Sequence, residues 1–472
     1  MSNKLTDITA DFAQWYQDVI YAAELVDESP VRGCYVIRPY GWAMWEHIQT
    51  YMDARIKQTG HQNASFPLLI PESFIHREAE HVEGFSPQLA VVTYAGGKEL
   101  EEKLVVRPTS ETTIHHSFAR WIKSWRDLPL KVNQWANVVR WELRPRPFLR
   151  TSEFFWQEGH TAHETLQEAQ EEVLLMLNEY MEFIQGQLLI PVIVGQKSES
   201  EKFAGAERTY ALEALMPDGR ALQMCTSHLL SQNFAKAFHI TFQDRQKELS
   251  YPYLTSWGLT TRLIGAVIMT HGDQKGLILP PAIAPYQIVV VPIYKTAEEK
   301  AAVTQHYDFL KTALSAWRVF FDEDEQQTPG AKFYHWELRG VPLRLEIGMR
   351  DAQAQQVVMV NRLNGNKQNV RFAQLTEEVD TALQLFANDL YVRAQQRQES
   401  LLFTGTSLVE FGPLMQEQGG GFITGWCQNP ACEQELKKYS GFTRCLLETH
   451  RVSQCFHCGK ESVQDVLVAK SY

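Results

Sequence analysis

From Val138 to His160 the chain reads Val-Val-Arg-Trp-Glu-Leu-Arg-Pro-Arg-Pro-Phe-Leu-Arg-Thr-Ser-Glu-Phe-Phe-Trp-Gln-Glu-Gly-His. Two β-rich runs flank a loop stiffened by Pro145 and Pro147, a pattern that predicts an antiparallel hairpin. The hairpin is cationic: Lys131, Arg140, Arg144, Arg146 and Arg150 face Glu142 alone. A guanidinium fork pairs bidentately with carboxylate or phosphate and keeps its charge. Arg140 could hold a carboxylate against a phosphate, and Phe154 offers a flat face to a purine. Those are the parts needed to join an acid to a nucleotide. An isolated Arg-x-Glu would read as a solvated surface hairpin; the second arginine and the phenylalanine favour the site.

At 472 residues the chain exceeds one ordinary core, and two to four domains are expected. Its 44% hydrophobic and 21% charged residues are those of a globular protein. The first residues carry Asp7, Asp11, Asp18 and Glu24 among spaced apolar positions, unlike a secretory signal, and no run reaches membrane-span length. A cytoplasmic address and no membrane partner are therefore expected. The net charge of −11 argues against a protein that coats nucleic acid but leaves room for a local basic site.

Apolar spacing predicts helices over 11–26, 42–56 and 164–189, with a strand over 66–71. Pro280-Pro281 and Pro285 mark a boundary. Beyond it, strands at 287–292, 318–321, 343–347 and 356–360 alternate with helices over 297–316 and 329–339. That rhythm predicts a compact α/β module of roughly 100 residues. A long helix over 371–400 then leads to a cysteine-bearing tail.

Three further segments carry polar groups suited to chemistry. Pro108-Thr-Ser-Glu111 follows the strand-like Leu104–Arg107; by itself it is first a helix N-cap, and second a place to hold an ammonium. His228, in Gln223-Met-Cys-Thr-Ser-His228, is by itself a core histidine. Arg262 ends Trp257-Gly-Leu-Thr-Thr-Arg262 before an apolar run, either as a solvent-facing helix start or as a grip on a triphosphate.

These blocks together resemble the class II aminoacyl-tRNA synthetases. Arg140-x-Glu142, the loop and Arg150-x-x-x-Phe154 are similar to motif 2, the segment ending at Arg262 to motif 3, and the helix and strand ending at Pro71 to motif 1. Gly33-Cys-Tyr-Val-Ile-Arg-Pro, Arg107-Pro-Thr-Ser-Glu, Trp156-Gln-Glu-Gly-His, Lys202-Phe-Ala-Gly-Ala and Thr226-Ser-His narrow the likeness to the prolyl-tRNA synthetase family. The bacterial form of that family carries an editing domain between motifs 2 and 3. Here about 100 residues separate Phe154 from Trp257, so the chain resembles the archaeal and eukaryote-like form.

The resemblance implies an α/β (α+β) fold: a class II antiparallel-sheet catalytic domain over 1–282, a mixed α/β anticodon-binding domain over 283–395, and a small zinc-binding domain over 396–472. It implies ATP-dependent activation of L-proline and transfer to the 3′ end of tRNA(Pro) by a homodimer. Thr109 and Glu111 would bind the imino group, and Arg140 would bridge carboxylate and α-phosphate. Trp156, Glu158, His160, Phe203 and His228 would shape the ring pocket. Arg150, Phe154, Gln223, Thr226, Thr260 and Arg262 would hold ATP, with Glu142 near the adenine or Mg2+. The C-terminal Tyr472 would approach the active site. Another class IIa synthetase, or a non-catalytic tRNA-binding factor, is the competing expectation.

Five of the seven cysteines lie in the last 46 residues. Cys427-x4-Cys432 and Cys455-x2-Cys458 predict a closed, structural Zn2+ site of four thiolates, with Cys445 spare and His457 a substitute ligand. Five reduced thiols without metal are the bland reading. In the α/β module, Arg344, Glu346 and Arg350 read equally as a charged strand rim or as contacts to anticodon guanines.

Overall fold

The computed structural model describes residues 5–75 and 89–472. An eleven-stranded sheet forms its frame, in the order Leu402–Thr404, Gly421–Trp426, Gln464–Ala469, Phe442–Leu446, Ile193–Gln196, Arg208–Leu215, Ala221–Ser231, Tyr253–Thr260, Glu153–His163, Leu130–Val139 and Gln62–Asn63. Only the two outermost pairs are parallel. The predicted hairpin is there, with Leu130–Val139 pairing Glu153–His163 along its whole length.

Helix Leu166–Gly186 opens on a capping box between Thr165 and Glu168, which satisfies two of its free N–H donors. Its apolar stripe, Val173, Met176, Leu177, Tyr180, Phe183 and Ile184, is buried and packs across Ala221–Ser231 and Tyr253–Thr260. Helix Phe12–Ala22, capped by Asp11, adds Trp15, Tyr16, Val19 and Ile20 to the same core. Burying such side chains is worth about 1.5–3 kcal/mol each, so this layer holds the sheet rigid beneath the site.

The α/β module is a five-stranded sheet in the order Val319–Phe321, Ile288–Ile293, Leu343–Gly348, Gln356–Asn361 and Lys367–Arg371. The first three strands are parallel and the last two antiparallel. The helix expected over 297–316 is two, Ala297–Thr304 and Tyr307–Ala313. Thr304 Oγ1 donates back to the Lys300 carbonyl at 3.0 Å, a side-chain bond that competes with the helical ladder. Arg318 fastens the proline-rich boundary by donating to the carbonyls of Pro281, Ala284 and Ala282. Arg362 reaches the core through a bidentate pair with Asp273.

The cysteine-bearing tail does not stand apart. Its strand Phe442–Leu446 joins Ile193–Gln196 through Leu446 and Gln196, so the tail extends the main sheet. Among the described residues no helix is long and apolar enough to cross a membrane.

Candidate active site

A cavity of about 400 Å3 opens on the main sheet. All fifteen residues expected to contact an amino acid or a nucleotide line it: Thr109, Glu111, Arg140, Glu142, Arg150, Phe154, Trp156, Glu158, His160, Phe203, Gln223, Thr226, His228, Thr260 and Arg262. Strand alternation explains part of this. Phe154, Trp156, Glu158 and His160 are spaced by two on Glu153–His163 and share a face. On Ala221–Ser231 the alternation is broken. The pairing passes from Leu212–Cys225 to Glu213–Gln223, leaving Met224 out of register, and both Gln223 and Thr226 reach the cavity.

One end of the cavity is built on a buried charge pair. Glu158 and His160 meet at 3.0 Å, both almost inaccessible to solvent. Burial pushes the Glu158 carboxyl up, but the bond and charge of His160, with donors from Ser110 and Gln134, hold it below its ordinary value. Burial pulls His160 down, and the Glu158 bond and charge outweigh it to raise the imidazole. Glu158 Oε1 accepts from Gln134 Nε2 at 2.6 Å and from Ser110 Oγ. Thr109 Oγ1 donates to Glu111, whose helix starts at that residue.

His228 differs from His160. Its Nδ1 bonds Thr209 Oγ1 and its Nε2 bonds Thr226 Oγ1, each at 2.9 Å, and burial lowers it to about 4. It is a neutral wall, with the Phe203 ring tilted against it at 4.7 Å.

The other end is cationic. Arg140 donates from Nε to the Pro108 carbonyl at 2.9 Å and lies 5.5 Å from the Phe154 ring and 5.4 Å from Trp156. Burial draws its pKa down, opposed by Glu111 and Glu158. Arg262 is fixed by the Leu149 and Gln223 carbonyls, both at 3.3 Å, and its N–H by Thr260 Oγ1 at 3.0 Å. Burial, with Arg140 and Arg150 nearby, lowers Arg262 to about 10. Cations gathered in this way make the end of the cavity favourable to an anion. Glu142 approaches Arg150 at 3.5 Å and accepts from the Arg144 N–H.

Ser110, Gln134 and Thr209 were not anticipated. Gln134 sits directly across the hairpin from Glu158, and Thr209 across from His228. The strand register would have exposed both, but a proline-interrupted loop does not fix register from sequence.

In the tail, the sulfurs of Cys427, Cys432, Cys455 and Cys458 all lie within 4.8 Å of one another. Cys427 is 3.7 Å from both Cys432 and Cys458. Zinc–sulfur bonds of about 2.3 Å in a tetrahedron require sulfurs about 3.8 Å apart, so the set fits that metal. Cys445 is buried elsewhere, by Ile193. Tyr472 donates from its hydroxyl to Asp218 at 2.7 Å, its backbone pairs with Ala221, and its ring packs against the main hydrophobic core. In the α/β module, Arg344 donates to Glu346 at 2.8 and 3.0 Å and Lys367 reaches the same carboxylate at 3.4 Å, while Arg350 stands on the short helix Met349–Gln353.

Three family descriptions match the chain: tRNA synthetase class II core domain (G, H, P, S and T) over residues 93–271, anticodon binding domain over 287–381, and prolyl-tRNA synthetase, C-terminal, over 408–472. A proline–tRNA ligase from Alkaliphilus oremlandii is 50% identical, covering 99% of this chain and 98% of that one. Proline–tRNA ligase 2 of Clostridioides difficile is 48% identical over the same shares. A Cryptosporidium parvum prolyl-tRNA synthetase, crystallised with halofuginone and AMPPNP, superposes with a TM-score of 0.93 at 41% identity and covers 99% of both chains. The same enzyme with L-proline and AMP gives 0.92 at 40%. The chain belongs to the prolyl-tRNA synthetases, built on the class II synthetase core.

Proposed function

We propose that this chain activates L-proline with ATP and transfers it to tRNA(Pro), each cavity residue taking the part its position favours. Glu111, held by Thr109, receives the proline ammonium. Glu158 is already bonded by Ser110, Gln134 and His160, so it serves as a fixed polar floor and Glu111 is the carboxylate offered to substrate. Trp156, Phe203 and the neutral His228 enclose the ring. Arg140 draws the carboxylate against the α-phosphate. Phe154 stacks on adenine, while Gln223, Thr226, Thr260, Arg150 and Arg262 hold ribose and phosphates. Mg2+ would accompany ATP and help neutralise its phosphates, with Glu142 near the ion or near the adenine.

No protein nucleophile is required. A proline carboxylate oxygen attacks the α-phosphorus in line and pyrophosphate leaves; the terminal tRNA hydroxyl then attacks the acyl carbon and AMP leaves. The protein supplies alignment and fixed positive charge where negative charge builds. The observation that carries this reading is the meeting of Glu111, Arg140 and Arg262 in one cavity.

Further assignments follow the same lines. The four tail thiolates hold a structural Zn2+ that leaves no open position. Arg344, oriented by Glu346, and Arg350 are offered to the anticodon. A homodimer is supported by exposed Leu68, Leu69 and Trp121 around the motif 1 strand, apolar surface that a second copy would cover. The interval from Phe154 to Trp257 is filled by core elements, as in the form without an inserted editing domain. The work is assigned to the cytoplasm. Amino-acid-dependent ATP–pyrophosphate exchange across the twenty amino acids tests the reaction. Strongest exchange with proline is expected, and none with any amino acid from folded protein would favour a binding factor.

A further inference from the structure

Where the tail joins the main sheet, three charged side chains are enclosed. Lys197 Nζ meets Glu213 Oε1 at 2.5 Å and donates to the Arg444 carbonyl at 2.8 Å. Arg444 reaches Glu213 from Nη2 at 2.9 and 3.0 Å and from Nε at 3.2 Å. Side-chain exposure is 1% for Lys197 and Glu213 and 6% for Arg444. A buried triad is weak support for stability in general, since apolar residues can fill such a space as well. Its position gives it another use.

Glu213 lies at the register shift in the Arg208–Leu215 and Ala221–Ser231 pair, opposite Gln223. Gln223 lines the cavity, and its carbonyl accepts from Arg262 Nη1 at 3.3 Å. An unbroken series thus runs from a tail arginine through a carboxylate and a strand pair to the triphosphate arginine. Arg444 Nη1 also donates to Ser471 Oγ at 3.2 Å, next to Tyr472, whose backbone pairs with Ala221 on the same strand. A second series, from the Lys197 N–H to the Thr209 carbonyl and from Thr209 Oγ1 to His228, reaches the ring pocket, but it leaves from Lys197 and not from the Arg444 guanidinium.

We propose that Arg444 is a positioning residue for nucleotide binding: through Glu213 it fixes the irregular strand pair that places Gln223 and Arg262, so the C-terminal module acts on the ATP half of the cavity and not on the proline half. This rests on the assignment of Gln223 and Arg262 to ATP.

The test is ATP–pyrophosphate exchange by full-length Arg444→Met, Arg444→Lys and Glu213→Gln, with Arg262→Ala as a control and zinc content measured for each. KM for ATP should rise at least fivefold in Arg444→Met while KM for proline stays within twofold. Arg444→Lys, which keeps the charge but loses the fork, should show a smaller rise in the same constant. Equal changes in both KM values, or a lower melting temperature with both unchanged, would overturn the proposal. Should Arg444→Met fail to fold, Glu213→Gln must show the ATP-only shift, and its absence overturns the proposal equally. If Arg262→Ala leaves KM for ATP unaltered, the assignment of the nucleotide half has failed instead.

Discussion

Replacing Glu158 by Gln isolates the charge of the Glu158–His160 pair. A glutamine carbonyl in the Oε1 position still accepts from Ser110 and Gln134. What disappears is one charge-assisted bond to His160, worth about 1.5–3 kcal/mol, and His160 must give up its Nε2 proton to become an acceptor. The expected loss is about 2 kcal/mol, below the roughly 3–5 kcal/mol for stranding a buried charge without a partner. Its pH dependence follows from the shifts. The Glu158 carboxyl is held below 4.5, so its contribution is present above that value and is lost as pH falls through the folded pKa. The His160 imidazole is raised above 6.5, so its contribution is complete below that value and is lost as pH rises through the folded pKa. The difference between wild type and variant is therefore largest between pH 4.5 and 6.5. Melting temperatures read by tryptophan fluorescence should differ by about 2–4 °C near pH 5.5, at roughly 1–2 °C per kcal/mol for a chain of this length, and by clearly less near pH 9. A gap of equal size at both pH values would refute the ionic reading of the pair.

Arg140→Ala should lose at least about a hundredfold in pyrophosphate exchange, as expected for removal of a donor to developing charge; near-normal exchange would sink its bridging role. In Gly159→Ala the added Cβ would fall 2.1 Å from the Trp257 ring, which is braced by His61 and Tyr180. Overpacking of about 3 kcal/mol is expected, and an unchanged melting temperature would show that the ring can move. Metal analysis should give one zinc per chain, and Cys455→Ser should loosen residues 421–469 in hydrogen exchange while helix Leu166–Gly186 stays protected. Metal-free protein with the same exchange pattern would remove the zinc assignment.

Much of the cavity was legible through the resemblance, which implied Trp156, Glu158 and His160; the structure adds that they share one strand face with Phe154 at a spacing of two. Arg140 and Arg262 were visible as cations at turns. Gln134 and Thr209 were not, because their importance comes from the residue across the ladder. The bulge that brings Gln223 and Thr226 to one surface was equally hidden, since alternation alone would send them to opposite faces. Lys197, Glu213 and Arg444 carry no local signal, for nothing near them in sequence shows that strands 231 residues apart will close over them. The tail meets the main sheet through the Leu446–Gln196 pair and an isolated bridge between Ser471 and Ala221, and isolated pairings between distant strands leave no periodic trace.

That extension bears on the order in which the protein can be made. Gln464–Ala469 is synthesised after Gly421–Trp426 and Phe442–Leu446, yet it lies between them. The two earlier strands cannot pair with each other in native fashion; each must wait with an open edge for the strand that separates them. At about 5–20 residues per second the wait is a matter of seconds, during which exposed edges are open to pairing with other chains. Nascent chains stalled before residue 464 should therefore be the aggregation-prone species, and chaperone demand should fall once that strand emerges.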